Sequence, residues 1–287
     1  MTPLSEKAPA KINLTLRVLG RRADGYHELE SLVAFADLGD TVALRPEAGT
    51  ALDIAGAFAA ACGPTADNLI LKAVAALGAR VRNLKVGHFR LEKRIPVAGG
   101  LGGGSSDAAA AFRLLAGLND LALDDPRVTA AALATGADVL VCLDPRPRVM
   151  RGIGEILSAP VVVPQLALVL VNPGVLLSTR DVFNAYTGTT IEKKNPGAVP
   201  REREAFIRFL EGYGNDLTQA AIACAPIVAD VLETLRQLPG ARLARMSGSG
   251  PTCFALFNSA AEATAAARQL RAAQIDWWVH DGSIARP

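Results

Sequence analysis

Histidine, cysteine and aromatic side chains are scarce: three His, four Cys and 5% Phe, Trp and Tyr in 287 residues. Cys62, Cys142, Cys224 and Cys253 lie far apart, with no C-x-x-C pair and no histidine at metal-ligand spacing. That spacing excludes a zinc ribbon or a dithiol redox motif, and all four are expected as reduced thiols in the core. Neither charge sign is in excess, with 30 Lys and Arg against 28 Asp and Glu spread along the chain. Without a basic stripe, nucleic acid is not an expected partner, and a small molecule is. No apolar run approaches the ~20 residues that span a bilayer, so no membrane partner is expected. The opening "MTPLSEKAPAKINL" lacks the apolar centre of a signal peptide, and the expected location is the cytoplasm. Repeats and low-complexity tracts are absent too. Half of the residues are hydrophobic, enough to fill one large core or two modest ones.

Alternation dominates the first third. In "KINLTLRV", Lys11, Asn13, Thr15 and Arg17 share one face and Ile12, Leu14, Leu16 and Val18 the other, which predicts a half-buried strand. Asp24-Gly25 in "GRRADGYHE" predicts a turn. "SLVAFA", "DTVALRP", "LDIAG" and "KVGHFRLEKRI" are further strand candidates, and "DNLILKAVAALGARV" is a helix with Asp67 as its expected N-cap. "SSDAAAAFRLLAGL" and "PRVTAAALATG" are helices, the second ending at Gly136, and "LALVLVNPG" is a buried strand. "TGTTIEKKNPGAVPRERE" is broken by Pro and Gly and predicts an exposed loop. "DLTQAAIACAPIVADVLETLRQL" is helical in two pieces around Pro226. It precedes strands in "ARLARMSGSG" and "TCFALF", a helix in "AAEATAAARQLRAAQ" and a strand in "DWWVHDG". The pattern changes near residue 150, so two α+β domains are expected, 1–150 and 151–287.

Glycine is concentrated in "RIPVAGGLGGGSSDAAAAF", at positions 99, 100, 102, 103 and 104, directly before a helix. A G-x-x-x-x-G-K-[ST] loop is excluded because Ser105 occupies the lysine position, and G-x-G-x-x-G fails at the same serine. Phosphate binding remains the physical reading. Glycines let backbone N–H groups approach an anion, and a helix beginning near Ser105 or Ser106 adds its positive end and two hydroxyls. A plain strand-to-helix turn with serine caps needs fewer glycines. "MSGSGPTCF" repeats the theme between two strands, either as a hairpin turn or as a second wall over a phosphate.

Phosphoryl transfer asks for a fixed cation and often a carboxylate to take a hydroxyl proton. Lys11 suits the first role, although a strand lysine is ordinarily solubilising. Asp138 in "TGADVLVCL" opens an apolar run, so it is either a cap or a partly buried carboxylate with a partner. Tyr26, His27 and Phe183 are candidates for a ligand platform or, more blandly, for packing.

Together these stretches resemble the GHMP kinase superfamily, whose phosphate loop P-x-x-x-G-L-G-S/G-S-S is matched by "PVAGGLGGGSS". The carrying segments are "APAKINLTLRVLGRRADGYHELES", "DNLI", "EKRIPVAGGLGGGSSDAAAA", "GADV", "GIGE", "NPGVLLSTRDVF", "NDL" and "MSGSGPTCF". The resemblance implies an α+β fold of two lobes, a ribosomal-protein-S5-like N-terminal lobe and a ferredoxin-like C-terminal lobe. It further implies transfer of the ATP γ-phosphate to the 2-hydroxyl of a cytidine-diphosphate-linked methylerythritol, in the non-mevalonate isoprenoid route. Lys11 would contact hydroxyl and phosphate, and Asp138 would accept the proton. Asn13 and Thr179 would hold the substrate, Tyr26 and Phe183 would sandwich the cytosine, and His27 would bond its edge. Asn68 and Lys93 would face adenosine, while Pro96, Gly99, Gly100, Leu101, Gly102, Gly103, Gly104, Ser105 and Ser106 would form the ATP phosphate loop. Mg²⁺ is expected with the nucleotide, carried mainly by the phosphates, with Ser106 the one protein candidate. Leu140, where proline is frequent, and Thr218, where an acidic residue often follows "NDL", depart from the pattern.

Overall fold

A computed structural model describes residues 3–188 and 197–284. Chain order begins β1 (Leu4–Asn13), β2 (Arg17–Arg21), β3 (His27–Pro46), β4 (Ala51–Ala55), α1 (Leu69–Gly78), β5 (Gly87–Glu92), α2 (Gly103–Leu118), α3 (Pro126–Thr135) and α4 (Val139–Leu143). It continues β6 (Arg148–Gly152), β7 (Ile156–Leu157), β8 (Ala167–Asn172), α5 (Thr179–Ala185), α6 (Arg203–Glu211), α7 (Thr218–Cys224) and α8 (Ile227–Arg236). The last elements are β9 (Leu243–Met246), β10 (Cys253–Phe257), α9 (Ala260–Ala273) and β11 (Trp278–Ser283). Two compact units interleave along the chain where a single boundary near residue 150 is expected. Met1–Lys11, Leu38–Val97 and Gly102–Pro145 form one; Ile12–Asp37, Ala98–Leu101 and Arg146–Pro287 form the other.

In the first unit β5 pairs antiparallel with the second half of β3, Thr41 opposite Glu92, and parallel with β4, Ala51 opposite His88. Its centre is α2, buried without a break from Ser106 to Phe112. A helix buried all round needs small side chains for close approach, and the run Ala108–Ala111 supplies them. Pro126 at the first position and Asp125 as N-cap start α3, which stops at Gly136 as expected.

In the second unit the Asp24-Gly25 turn joins β2 to β3 with Arg21 opposite His27, and Gly25 takes φ +88°. Its four-stranded antiparallel sheet runs β11-β8-β10-β9. With α8 between β8 and β9 and α9 between β10 and β11, this is the ferredoxin-like order. Every residue of β8 and β10 is buried, which is why "LALVLVN" and "CFALF" are continuous apolar runs rather than alternating ones.

Several local expectations change. "KINLTLRV" is no single half-buried strand: β1 begins at Leu4, the strand is interrupted between Asn13 and Arg17, and the polar face is buried as well. "SLVAFA" and "DTVALRP" are one strand, β3. The cap of α1 is Asn68, whose side chain accepts from Ile70 N, one residue after the expected Asp67. α2 starts at Gly103, before the serines. Cys224 is exposed, unlike the buried Cys142 and Cys253. The expected loop at 187–204 lies partly outside the described residues, and its end already enters α6, capped by Glu202.

Candidate active site

The buried polar face of β1 is explained by partners. Lys11, 3% exposed, sets Nζ 2.9 Å from Oδ2 of Asp138. Asp138 flanks the start of α4 but its carboxylate does not cap it, which leaves the oxygens for the lysine. Of the two readings of Asp138, the partnered carboxylate is the one realised. A buried ammonium needs such a counter-charge, and the carboxylate, 32% exposed, keeps the pair open to solvent on one side. The lysine stem lies on Gly102, where a Cβ would come within 3.0 Å of Cε. Gly102 also has φ +60°, so glycine is required there twice over.

The loop that follows is braced from both sides. α2 leaves its first N–H groups without intrahelical acceptors, since Ser106 N is the donor to Gly102 O. Ser106 itself is fully buried, and its hydroxyl donates to Pro9 O at 2.8 Å, so that donor is committed. Gly104, in contrast, is exposed, and a Cβ there would meet only Leu69 Cδ1 at an ordinary 3.5 Å. Leu101, Gly99 and Pro96 are buried.

Gly99 and Gly100 are held by the second glycine turn. Thr252 N donates to Gly99 O at 3.2 Å, and Ser247 Oγ donates to Gly100 O at 2.9 Å. The same Oγ accepts from Asn13 N at 3.1 Å, and Asn13 Nδ2 donates to Ser31 Oγ at 2.8 Å. Asn215 then fixes the turn, its Nδ2 donating to Met246 O and Gly248 O, each at 2.8 Å. "MSGSG" therefore does more than join β9 to β10: it rests on the first loop. Beside it, the Thr179 and Ser249 hydroxyls are 2.8 Å apart.

Lys93 is 2% exposed, with Nζ 2.5 Å from Asp40 Oδ2 and 2.7 Å from Asp107 Oδ2. Burial alone would lower its pKa, but the two carboxylates outweigh that and raise it. Burial pushes the Asp107 carboxyl up to about 7 against the pull of Lys93. Asp40 Oδ1 accepts from Arg94 N and Ile95 N, whereas Asp107 Oδ1 has no partner among the described residues. The ammonium also lies 3.0 Å from where a Cβ on Gly103 would sit, under the start of α2. Asn68 uses Oδ1 to cap α1, at 2.9 Å from Ile70 N.

His27 and Phe183 come together as a stacked pair, centroids 5.0 Å apart, and Tyr186 meets the His27 ring edge-on at 6.1 Å. The ring that covers Phe183 is thus His27. Tyr26, 62% exposed, sits at the turn with its N–H on Asp24 Oδ1. Burial first, and then the Arg21 charge, lower the His27 pKa and favour the neutral ring.

Five participants escaped sequence reasoning: Asp40, Asp107, Ser31, Ser247 and Asn215. A weak signal existed for the two carboxylates, each next to an apolar run, but pairing with a lysine 53 residues from Asp40 and 14 from Asp107 leaves no local pattern. Ser247 and Asn215 lay in quoted motifs without a role.

The model for the GHMP kinases N terminal domain matches residues 68–144, and that for GHMP kinases C terminal matches 202–276. The 4-diphosphocytidyl-2-C-methyl-D-erythritol kinase of Xanthobacter autotrophicus is 54% identical, covering 97% of this chain and 98% of its own. A crystal structure of 4-(cytidine 5'-diphospho)-2C-methyl-D-erythritol kinase aligns with TM-score 0.77 and 32% identity, over 99% of this chain and 100% of its own. The homoserine kinase of Cytophaga hutchinsonii aligns with TM-score 0.74 at 20% identity, over 99% of this chain and 95% of its own, a likeness of fold.

Proposed function

We propose that this chain, which belongs to the GHMP kinase family, phosphorylates the 2-hydroxyl of 4-diphosphocytidyl-2-C-methyl-D-erythritol with ATP, in the non-mevalonate route to isoprenoid precursors. The observation that carries the chemistry is the 2.9 Å Lys11–Asp138 pair, a cation and a base within reach of one hydroxyl. The hydroxyl oxygen attacks the γ-phosphorus, the bond to the β,γ-bridging oxygen breaks, ADP leaves, and the hydroxyl proton passes to Asp138. Lys11 stabilises the charge on the transferring group.

The phosphates of ATP rest on the backbone from Gly99 to Ser106, following Pro96, with the exposed Gly104 as the closest approach. Asn68 and Lys93 face the adenosine; the ammonium has three donors, and two are taken by Asp40 and Asp107. Asn13 helps hold the methylerythritol part, and Thr179 lies along the same groove. Tyr26 and Phe183 take the cytosine between them once the neutral His27 ring, stacked on Phe183 in this structure, gives up that face and bonds the base by its edge.

Mg²⁺ would accompany the nucleotide and supply positive charge to its phosphates. Among the described residues no three His, Cys, Asp or Glu side chains group as a metal site. The ion would be carried mainly by the phosphates of the nucleotide. Ser106, whose oxygen keeps lone pairs while donating to Pro9, is the protein candidate. No helix among the described residues is long and apolar enough to cross a membrane. Use of ATP as co-substrate suits a cytoplasmic location.

The test is ADP release with 4-diphosphocytidyl-2-C-methyl-D-erythritol, homoserine and mevalonate as alternative acceptors. Turnover of the cytidine compound alone is expected. Turnover of homoserine or mevalonate without it, or no ADP from any, overturns the assignment.

A further inference from the structure

The two members of the Lys11–Asp138 pair sit on different elements, β1 and the flank of α4, and one side chain ties those elements together. Arg113 on α2 is 11% exposed, and its guanidinium is spent on fixed partners. Nε donates to Glu6 Oε2 at 2.8 Å and NH2 donates to Lys7 O at 2.6 Å, both on β1. NH1 donates to Cys142 O at 2.8 Å and Leu143 O at 3.4 Å, the last carbonyls of α4.

We infer that Arg113 is a positioning residue for the catalytic pair. A helix as short as α4, residues Val139–Leu143, cannot hold its own orientation, and its end carbonyls lack intrahelical donors. The guanidinium supplies those donors, and its positive charge matches the negative end of the helix. The same fork grips β1 at Lys7, four residues before Lys11. Seven residues earlier on α2, Ser106 grips Pro9 O on that strand. Strand and helix are thereby referred to one rigid helix, and the 2.9 Å separation at their other ends follows. Lysine cannot reproduce this, because a point charge lacks the fork that reaches both elements at once. Arg113 lies outside the short motifs that carry the resemblance in the sequence.

The inference rests on Lys11 and Asp138 as the reacting pair, and a mutant cycle separates the two ideas. Arg113→Gln should lower kcat about ten- to a hundredfold while KM for ATP stays within about threefold, since misplacing a catalytic group by about 1 Å has that effect. Arg113→Lys should fall between the two. In an Asp138→Asn background the Arg113→Gln change should produce no further loss, because its route of action is already gone. A folded Arg113→Gln enzyme at the wild-type rate, or effects that multiply in the double variant, overturns the inference. If Arg113→Gln does not fold, Arg113→Lys alone and with Asp138→Asn decides by the same criteria. An Asp138→Asn enzyme that turns over normally refutes the proposed base instead.

Discussion

Lys11 Nζ and Asp138 Oδ2 are 2.9 Å apart, the lysine side chain 4% exposed and the aspartate 32%. The asymmetry suits the proposed roles. A buried, paired ammonium is a fixed charge, and a carboxylate with one side open can take a proton from an incoming hydroxyl. Asp138→Asn is isosteric, so kcat should fall about a hundredfold or more with ATP affinity nearly intact. Steady-state kinetics and nucleotide titration check this; near wild-type turnover would remove Asp138 from the base role.

The glycines of the loop divide by what demands them. Gly100 has φ +74°, and a Cβ there would collide with the Ser247 and Gly250 backbone. Gly100→Ala should therefore lower the melting temperature, a strain of about 1–3 kcal/mol or more. Gly104 has neither constraint, so Gly104→Ala should melt like the parent and raise KM for ATP severalfold. A stable Gly104→Ala protein with unchanged KM for ATP would show that no phosphate comes close at that position.

Phe183 presents its ring to His27 at 5.0 Å, and the half-buried side chain also packs against the edge of the second unit's core. Phe183→Ala should raise KM for the cytidine substrate far more than KM for ATP, as the loss of a stacking platform worth about 1–3 kcal/mol. Equal effects on both constants would make the residue a packing element.

Asp107 predicts a pH dependence of stability. Folding raises its pKa from 3.8 to about 7, with burial the larger cause and Lys93 and Asp40 the charges facing it. Between those values the folded state binds more protons than the unfolded chain. The stability this group contributes is complete below the unfolded value and is lost as pH rises toward about 7. Asp107→Asn cannot titrate, so its denaturant-derived stability should be flatter over that window. Equal slopes for parent and variant would show that Asp107 does not hold the proton.

Local physics made much of the molecule legible. Asp24-Gly25 needs a positive φ and makes the turn; Pro126 and Gly136 bound α3; Pro226 separates α7 from α8. The glycine run pointed to an anion at a helix start, and the neighbouring motifs named the family. What stayed hidden depended on partners. "KINLTLRV" alternates like a half-exposed strand because alternation records polarity, and polarity does not distinguish water from a partner within the fold such as Asp138, Ser31 or Glu30.

The sequence by itself determined which residues could do the chemistry: a lysine on a strand, an aspartate before an apolar run, glycines before a helix. Those are properties of residue type and near neighbours, acting over a few bonds. Only the tertiary structure decided that Lys11 meets Asp138, that Lys93 is shared by Asp40 and Asp107, and that the Ser247 turn rests on Gly100. Each of these joins residues on different elements, and burial makes them obligatory, because a charge or a hydroxyl withdrawn from water must find its partner within the fold.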